Sequence, residues 1–260
     1  MIGSKEKYAL VTGASSGIGY ELAKLFAEDG KNTVVVARSQ DRLEILKTEN
    51  EKKSGTKVIV LPKDLSKPDA PQEIFSELEK EHIEVDVLVN NAGYGIYGMF
   101  SQTDLPQELN MIQVNITALT HFTKLFMKKM VENKSGWILN VASTAGFAPW
   151  PLFSMYAASK AYVLSFSEAI ANELQGTGVS VTCLCPGLTE TRFLERANAG
   201  KARFAKTMKK MDAAKVARVG YTALKKRRVM VIAGLVNSFL MFAWRLAPRK
   251  LAPRIVRLLT

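Results

Sequence analysis

A glycine-rich turn between an apolar strand and a helix constrains the fold of this chain more than any other feature. The segment Tyr8–Thr12 runs directly into Gly13-Ala-Ser-Ser-Gly17-Ile-Gly19, and a helical pattern continues through Phe26. Glycines let a backbone bend tightly and approach a pyrophosphate, and the N-terminus of the next helix offers free N–H groups. The spacing is G-x-x-x-G-x-G, not the common G-x-G-x-x-G, so the turn alone predicts either a phosphate cradle or a simple chain reversal.

Apolar segments of strand length alternate with helical segments along the rest of the chain. After the first strand they lie at 32–37, 57–61, 85–89, 137–142, 179–184 and 229–233. Strands and helices that alternate at short spacing require a parallel, doubly wound sheet, and 260 residues suit one large domain. We therefore predict an α/β, Rossmann-like, single-domain fold with a seven-stranded parallel sheet and helices on both faces. Residues 1–234 are expected to form this domain, and residues 235–260 a helical extension of it.

The end of the second strand indicates which dinucleotide such a fold would bind. Ala37-Arg38-Ser39 follows the glycine turn at about twenty residues, where an acidic residue would bind the ribose 2′-OH of NAD. An arginine there can pair instead with the 2′-phosphate of NADP, and Ser39 can add a hydrogen bond. The alternative is a solvated arginine on a loop. The sequence favours NADP(H).

A tyrosine and a lysine one helical turn apart, Tyr156 and Lys160, follow a strand that ends at Ser143. A phenol titrates near pH ~10, and a nearby ammonium favours the phenolate, so Lys160 is expected to lower the pKa of Tyr156. The pair is then a candidate proton-transfer device. Small and polar residues also follow two other strands, at 90–93 and 186–191. Because ligands bind at the carboxyl ends of parallel strands, all of these residues are expected to meet at one edge of the sheet.

The spacing of that pair is not evidence by itself. Tyr20 and Lys24 have the same spacing, and so do Tyr221 and Lys225. An ordinary pair on a helix surface is the alternative for each of them. Neither of these two pairs has a serine at a strand end about a dozen residues before it, and this order along the chain distinguishes Tyr156.

Six motifs in matching order and spacing make residues 7–234 resemble the short-chain dehydrogenase/reductase family in its non-extended form. They are TGASSGIG at 12–19, NNAG at 90–93, Asn115, Ser143, Tyr156-x-x-x-Lys160 and PGLTET at 186–191. The resemblance implies an NADP(H)-dependent oxidoreductase, a carbonyl reductase or alcohol dehydrogenase. It makes Tyr156 the acid/base and Ser143 the residue that holds the substrate oxygen. Lys160 would bind the nicotinamide ribose and lower the Tyr156 pKa, and Asn115 would hold a water in a proton relay.

The resemblance also implies the cofactor contacts. Asp64 would contact the adenine, the backbone of 91–93 would line the cofactor, and Thr189 and Thr191 would contact its carboxamide and phosphate side. The full expected set is Gly13, Ser15, Ser16, Gly17, Ile18, Gly19, Arg38, Ser39, Asp64, Leu65, Asn91, Ala92, Gly93, Tyr156, Lys160, Pro186, Gly187, Thr189 and Thr191.

Three loops are candidates for the substrate pocket: the loop after Gly93, the loop 147–153 and the segment 193–211. Their apolar and aromatic residues, which include Tyr94, Tyr97, Met99, Phe100 and Trp150, favour a hydrophobic ketone, aldehyde or 3-oxoacyl substrate. The alternative is that these residues pack in the core or on an oligomer surface. Five basic residues in the third segment would either meet a coenzyme A or carrier-protein phosphate or form a solvated helix face. They are Lys201, Arg203, Lys206, Lys209 and Lys210.

The positive charge of the chain, +12 overall, is concentrated in its last quarter. Residues 201–260 hold sixteen lysines and arginines and one acidic residue, Asp212. Residues 229–244 carry no charge, but this run is shorter than the ~20 residues of a membrane span. The mixture of apolar and basic residues in 235–260 indicates peripheral binding to a membrane surface, or else packing on the domain or on a partner subunit. The alternative function is thus an NADP-binding scaffold or sensor that acts at a membrane surface.

The sequence also allows predictions about nucleic-acid binding, oligomer formation and cellular location. No recognised nucleic-acid-binding module accompanies the charge, so no nucleic acid is expected. The family pairs through long helices, here 107–131 and 154–175, so the resemblance implies a homodimer or homotetramer. Residues 1–7 do not resemble a signal peptide, and the two cysteines, Cys183 and Cys185, suggest neither a disulfide nor a metal site. We expect a cytoplasmic protein without a metal.

Overall fold

A seven-stranded sheet forms the centre of the computed structural model, which describes residues 6–200, 202–246, 250–258 and 260. Its strand order is 3-2-1-4-5-6-7, and every neighbouring pair is parallel. The strands are β1 (Lys7–Thr12), β2 (Asn32–Ala37), β3 (Val58–Pro62), β4 (Glu84–Asn90), β5 (Gly136–Val141), β6 (Val179–Cys185) and β7 (Met230–Ile232). The predicted seven-stranded parallel sheet and the Rossmann-like fold are confirmed.

Helices cover both faces of the sheet. They are α1 (Gly17–Glu28), α2 (Gln40–Ser54), α3 (Ala70–Lys80), α4 (Leu105–Ile112), α5 (Leu119–Glu132), α6 (Ser154–Glu173), α7 (Phe193–Arg196), α8 (Arg203–Thr207), α9 (Ala213–Lys225), α10 (Leu235–Leu246) and α11 (Ala252–Arg257). Helices α1, α2 and α9 pack on one face and α3, α5 and α6 on the other. Among the described residues, no helix is both long enough and apolar enough to cross a bilayer.

Both faces of the sheet are buried, which explains the nearly continuous apolar sequence of its strands. Successive side chains on a strand point to opposite faces, so Leu10 joins one core and Val11 the other. Leu10 packs with Phe122 and Ile138, and all three are fully buried. Burying an apolar side chain of this size contributes roughly 1.5–3 kcal/mol. These two cores fix the positions of the strand ends.

The helix predicted over 107–131 has an irregularity that the sequence did not reveal. A π-helical turn at Gln113–Ala118 joins α4 to α5, and Asn115 lies within it. A π turn has i→i+5 hydrogen bonds and appears as a local bulge in α-helices, often at functional sites. It places the buried Asn115 side chain against the backbone that follows β4.

Candidate active site

A cleft of about 520 Å³ lies at the carboxyl ends of the strands, where the chain order reverses between β1 and β4. Ligands bind at this place in open α/β sheets. Most of the predicted site residues line it: Gly13, Ser15, Ser16, Gly17, Ile18, Arg38, Ser39, Asp64, Leu65, Asn91, Ala92, Gly93, Ser143, Tyr156, Lys160, Pro186, Gly187, Thr189 and Thr191. Gly19 and Asn115 lie behind its wall. The fold therefore brings the six motifs to one edge.

The glycine turn leaves a bare backbone in front of helix α1. Gly13 and Gly17 have φ angles of +67° and +62°, a region that side chains rarely adopt. A Cβ atom added to Gly13 would lie 2.8 Å from Asn91 Nδ2, and one added to Gly17 would lie 2.6 Å from Thr191 Cγ2. No side chain caps the N-terminus of α1, so its N–H groups are available. The turn fits a pyrophosphate, which needs this close approach and these donors.

The segment after β4 is tied to the glycine turn. Thr12 Oγ1 accepts hydrogen bonds from the backbone N–H groups of Asn91, at 3.0 Å, and Ala92, at 3.1 Å. Asn91 Nδ2 donates to the carbonyl of Thr12 at 2.9 Å. The NNAG motif thus aligns two walls of the cleft.

Asn90 belongs to a buried network and does not line the cleft. Its Nδ2 donates to Asn140 Oδ1 at 2.9 Å, and Asn140 Nδ2 donates to Ser167 Oγ at 2.9 Å. The network joins β4, β5 and α6, the helix that carries Tyr156. Sequence reasoning missed this role of Asn140, although a lone asparagine in an apolar strand was a usable signal.

Tyr156 and Lys160 enter the cleft from the first turns of α6. Lys160 is only 4% exposed, and its Nζ donates to the carbonyl of Val141 at 2.8 Å. The same nitrogen lies 5.9 Å from the centre of the Tyr156 ring. Burial lowers the pKa of Lys160 to about 8.

The expected lowering of the Tyr156 pKa by Lys160 is wrong for this structure. Burial of the phenol raises its pKa to about 12, and a hydrogen bond with Ser143 acts in the opposite direction without overcoming it. The physical reason is that the half-buried Tyr156 loses hydration of its phenolate, while the Lys160 ammonium is used by the Val141 carbonyl. The tyrosine is therefore a protonated hydroxyl at neutral pH.

The other two tyrosine–lysine pairs have nearly the same geometry and different surroundings. Lys24 and Lys225 lie 5.3 and 5.5 Å from the rings of Tyr20 and Tyr221. Tyr20 donates its hydroxyl hydrogen to Glu49, and Tyr221 donates to Asp29 at 2.6 Å. Both are surface pairs held by a carboxylate. Spacing does not distinguish Tyr156, but its place at the cleft does.

Asn115 fixes the loop that follows Gly93. Its Nδ2 donates to the carbonyl of Tyr94 at 2.9 Å and to Ser159 Oγ at 3.0 Å, and its Oδ1 accepts from the N–H of Tyr94 at 3.1 Å. A Cβ added to Gly93 would lie 3.1 Å from Asn115 Oδ1 and 3.3 Å from Lys160 Nζ. The glycine thus keeps a small polar space open between these two groups.

Two arginines that sequence reasoning missed line the nucleotide end of the cleft with Arg38: Arg192 and Arg196. Burial and the positive charges of Arg192, Arg38 and Arg42 lower the pKa of Arg196. The Nε atom of Arg192 is buried without a hydrogen-bond partner among the described residues. Clustered guanidinium groups fit a phosphate, because it would satisfy their donors and neutralise their charge. The available signal was their position just after Thr191.

A family model described as short chain dehydrogenase matches residues 7–202. The chain belongs to the short chain dehydrogenase family. The family is one of oxidoreductases, and the resemblance seen in the sequence named the same family.

Three known proteins illustrate how similar this chain is to its relatives. It is 40% identical over 191 residues to a short chain dehydrogenase of Pseudocercospora fijiensis, which covers 72% of this chain and 61% of that protein. It is 34% identical over 197 residues to Homo sapiens 17-beta-hydroxysteroid dehydrogenase type 3, which covers 75% and 63%. The chain therefore matches less than two thirds of the length of these relatives. A short-chain dehydrogenase from Sphingobium yanoikuyae, solved in complex with NADPH, matches with a TM-score of 0.83 and 30% identity, covering 92% of this chain and 94% of that one.

An aromatic cluster forms the other end of the cleft. The Tyr156 ring lies 5.0 Å from Phe193 and 5.6 Å from Phe153, measured between ring centres. A Cβ on Gly95 would lie 2.9 Å from a ring carbon of Phe153, so glycine permits this packing. Phe204 completes the wall at 5.7 Å from Phe153. Tyr156 thus has the polar residues Ser143 and Lys160 near it in the cleft and the aromatic rings of Phe153 and Phe193 packed against its own ring.

The candidate pocket residues divide into two groups. Tyr94 and Trp150 line the cleft, whereas Met99 and Phe100 are 47% and 58% exposed and lie outside it. The described members of the basic group are also exposed and do not line the cleft: Arg203, Lys206, Lys209 and Lys210. Lys201 lies outside the described residues. The solvated helix face, one of the two alternatives, agrees with this arrangement.

Proposed function

We propose that this protein is an NADP(H)-dependent carbonyl reductase or alcohol dehydrogenase. It transfers hydride between the nicotinamide and a hydrophobic ketone, aldehyde or 3-oxoacyl substrate. The observation that carries the proposal is the position of Tyr156, which lines the same cleft as Ser143 and the glycine turn and packs against Phe193. The relatives support it, because one is a 17-beta-hydroxysteroid dehydrogenase and another was solved with NADPH.

In the reductive direction Tyr156 acts as the acid. When bound, NADPH would supply a hydride to the carbonyl carbon of the substrate, and the carbonyl oxygen would then carry the negative charge. Ser143 and Tyr156 both donate hydrogen bonds to that oxygen, and Tyr156 then gives up its proton. A pKa of about 12 keeps the tyrosine protonated until the substrate oxygen becomes more basic than the phenolate.

Lys160 and Asn115 act behind the tyrosine. We assign Lys160 to the nicotinamide ribose. Asn115 Oδ1 and Lys160 Nζ flank Gly93, and we assign to this space the water of a proton relay. Proton transfer from bulk water through Lys160 would then restore Tyr156 after each turnover.

The cofactor side is assigned to NADP(H) in the domain formed by residues 1–234. Arg38, with Arg192 and Arg196 beside it, binds the 2′-phosphate, and Ser39 adds a hydrogen bond. The glycine turn holds the pyrophosphate and Asp64 contacts the adenine. Asn91 to Gly93, Pro186, Gly187, Thr189 and Thr191 line the remaining length of the cofactor.

Assembly and location belong to the same proposal. We propose a homodimer or homotetramer formed through the helical segments 107–131 and 154–175, where Tyr162 is 36% exposed and stacks on Phe166. We also propose a cytoplasmic enzyme that binds peripherally to a membrane through residues 235–260. Cys183 and Cys185 are buried free thiols, as a reducing compartment allows.

NADPH consumption over a panel of ketones, aldehydes and 3-oxoacyl thioesters tests the function. Oxidation of NADPH with a hydrophobic carbonyl supports it. Tight NADPH binding without consumption over the whole panel would favour the scaffold or sensor instead.

A further inference from the structure

Helix α10 presents a broad apolar face to solvent and turns Asn237, Ser238 and the buried Met241 toward the protein. Asn237 Nδ2 donates to the carbonyl of Ala233 at 2.7 Å, and Ser238 Oγ donates to the carbonyl of Gly234 at 3.1 Å, so both polar side chains are used internally. The exposed stripe consists of Leu235 (90% exposed), Val236 (73%), Phe239 (72%), Phe242 (63%) and Leu240 (43%). A helix on a water-facing surface normally has the opposite pattern. A continuous apolar stripe of this kind marks a protein or membrane contact.

Helix α11 and its flanking residues also expose apolar side chains, and they add positive charge. Leu251, Ile255 and Leu258 are 45%, 46% and 69% exposed, and Arg254 and Arg257 are exposed beside them. We call the exposed residues of α10 and α11, with Leu251 and Leu258, the docking face.

An anionic lipid surface matches the docking face better than a second copy of the chain does. The sequence has no acidic residue after Asp212, so two docking faces would bring like charges together. An anionic bilayer instead accepts apolar side chains below its headgroups and pairs its phosphates with arginines. Since no described helix can span a bilayer, the docking face would lie in the plane of the surface.

Two hydrogen bonds join the residues that follow α11 to segments beside the active-site cleft. The Tyr97 hydroxyl donates to the carbonyl of Thr260 at 2.8 Å, and Arg203 Nη1 donates to the carbonyl of Leu258 at 3.2 Å. The Tyr97 ring lies 5.2 Å from Phe153, which in turn packs on Tyr156. The residues just after α11 therefore contact the aromatic cluster that borders the reacting hydroxyl.

We propose that the docking face binds an anionic bilayer and thereby places the aromatic end of the cleft at the lipid surface, so that the enzyme takes an apolar ketone directly from the membrane. The proposal rests on the proposed carbonyl reductase function for its substrate and on the docking face alone for its binding. It identifies the substrate class as lipid-soluble ketones, either long-chain or polycyclic. Such a substrate would pass from the lipid to the apolar wall of the cleft without entering bulk water. It would therefore avoid the unfavourable free energy of exposing its apolar surface to water.

Vesicle flotation of the NADPH-bound enzyme tests the binding step. We expect the protein to float with phosphatidylcholine–phosphatidylserine vesicles, and to float less with phosphatidylcholine alone or in high salt. The double variant Leu235→Ser, Phe239→Ser should weaken binding at least about tenfold, because two large apolar side chains no longer enter the lipid surface. Ile45→Ser is the matched control, since Ile45 is 56% exposed on α2, at the opposite edge of the sheet. Equal flotation of the double variant and the control would overturn the proposal.

Reduction of a ketone in two forms tests the coupling. With a ketone dissolved in the anionic vesicles, the double variant should lose about tenfold or more in rate relative to the wild type and to Ile45→Ser. With a small water-soluble ketone, all three proteins should have the same kcat/KM. Equal rates of the double variant and the wild type on the vesicle-borne ketone contradict direct uptake.

Failure of the proposed function would look different. A wild type that floats and reduces neither ketone contradicts the reductase and leaves membrane docking supported. If the double variant instead turns an oligomer into a monomer and vesicle binding is absent in every protein, the docking face joins two copies and the proposal is wrong.

Discussion

Lys160 Nζ donates a hydrogen bond to the carbonyl of Val141, the last residue of β5, at a distance of 2.8 Å. The contact holds the ammonium between α6 and the sheet edge, where only 4% of the residue is exposed. Burial disfavours the charged form and lowers the pKa of Lys160 from 10.5 to about 8. Keeping the Lys160 ammonium charged at this buried position therefore lowers the free energy of unfolding, and this effect can be measured.

Stability should depend on pH through Lys160. Unfolded chains keep this proton up to a pH near 10.5, whereas the folded protein releases it near 8. The lysine therefore contributes an increase in the free energy of unfolding as pH rises from about 8 to about 10.5, with an upper limit of about 3 kcal/mol. In Lys160→Met this increase is absent. Urea unfolding of both proteins over this pH range checks it, and a difference in free energy that stays constant with pH would refute the assignment.

Cofactor preference should depend on Arg38. We expect Arg38→Asp to weaken NADPH binding by about tenfold to a hundredfold and to leave NADH binding less affected, since a hydrogen bond to a charged group contributes ~1.5–3 kcal/mol. Fluorescence titration with both nucleotides measures this, alongside the kcat/KM ratio. Arg228→Asp makes the same change of net charge at an exposed position after α9 and should leave the ratio unchanged. An unaltered ratio in Arg38→Asp would mean that Arg38 does not select NADP(H).

The stability of the loop after β4 should depend on the hydrogen bonds of Asn115. Asn115→Leu has a similar shape and leaves the N–H and carbonyl of Tyr94 without their partner. Each unsatisfied buried group costs about 1–3 kcal/mol, so we expect the free energy of unfolding to fall by several kcal/mol. Asn172→Leu on the exposed face of α6 is the control and should change it by less than about 0.5 kcal/mol. If both substitutions changed the free energy of unfolding equally, Asn115 would not have the structural role assigned to it.

Local sequence determined the sheet and most of the cleft. The strands are mostly apolar, and the site residues follow the strand ends, so a parallel sheet brings these residues together without knowledge of any side-chain contact. Gly13 and Arg38 were found in this way. The sequence could not predict contacts that depend on the strand register. Asn90 and Asn140 form a hydrogen bond because β4 and β5 align these two residues, and the sequence of neither strand shows this alignment.

The effect of burial on a pKa and the irregularity of a helix could not be predicted from the sequence either. The spacing of Tyr156 and Lys160 predicted a lowered phenol pKa, but solvent exclusion by the folded chain raises it. The apolar pattern over 107–131 contained no sign of the π turn at Asn115, because one inserted residue hardly disturbs the periodicity. The outward apolar face of α10 was also invisible, since a sequence shows that a face is apolar and not which way it points.

The central claim is that Tyr156 supplies the proton, and its most direct test compares Tyr156→Phe with Tyr221→Phe. Both remove a hydroxyl from a tyrosine four residues before a lysine, but Tyr221 donates to Asp29 on the surface. NADPH binding and the turnover of a hydrophobic ketone are measured for each. We predict that both variants bind NADPH, that Tyr221→Phe keeps normal turnover, and that Tyr156→Phe loses roughly 10²–10⁴-fold in kcat. Near-normal turnover of Tyr156→Phe would contradict the mechanism.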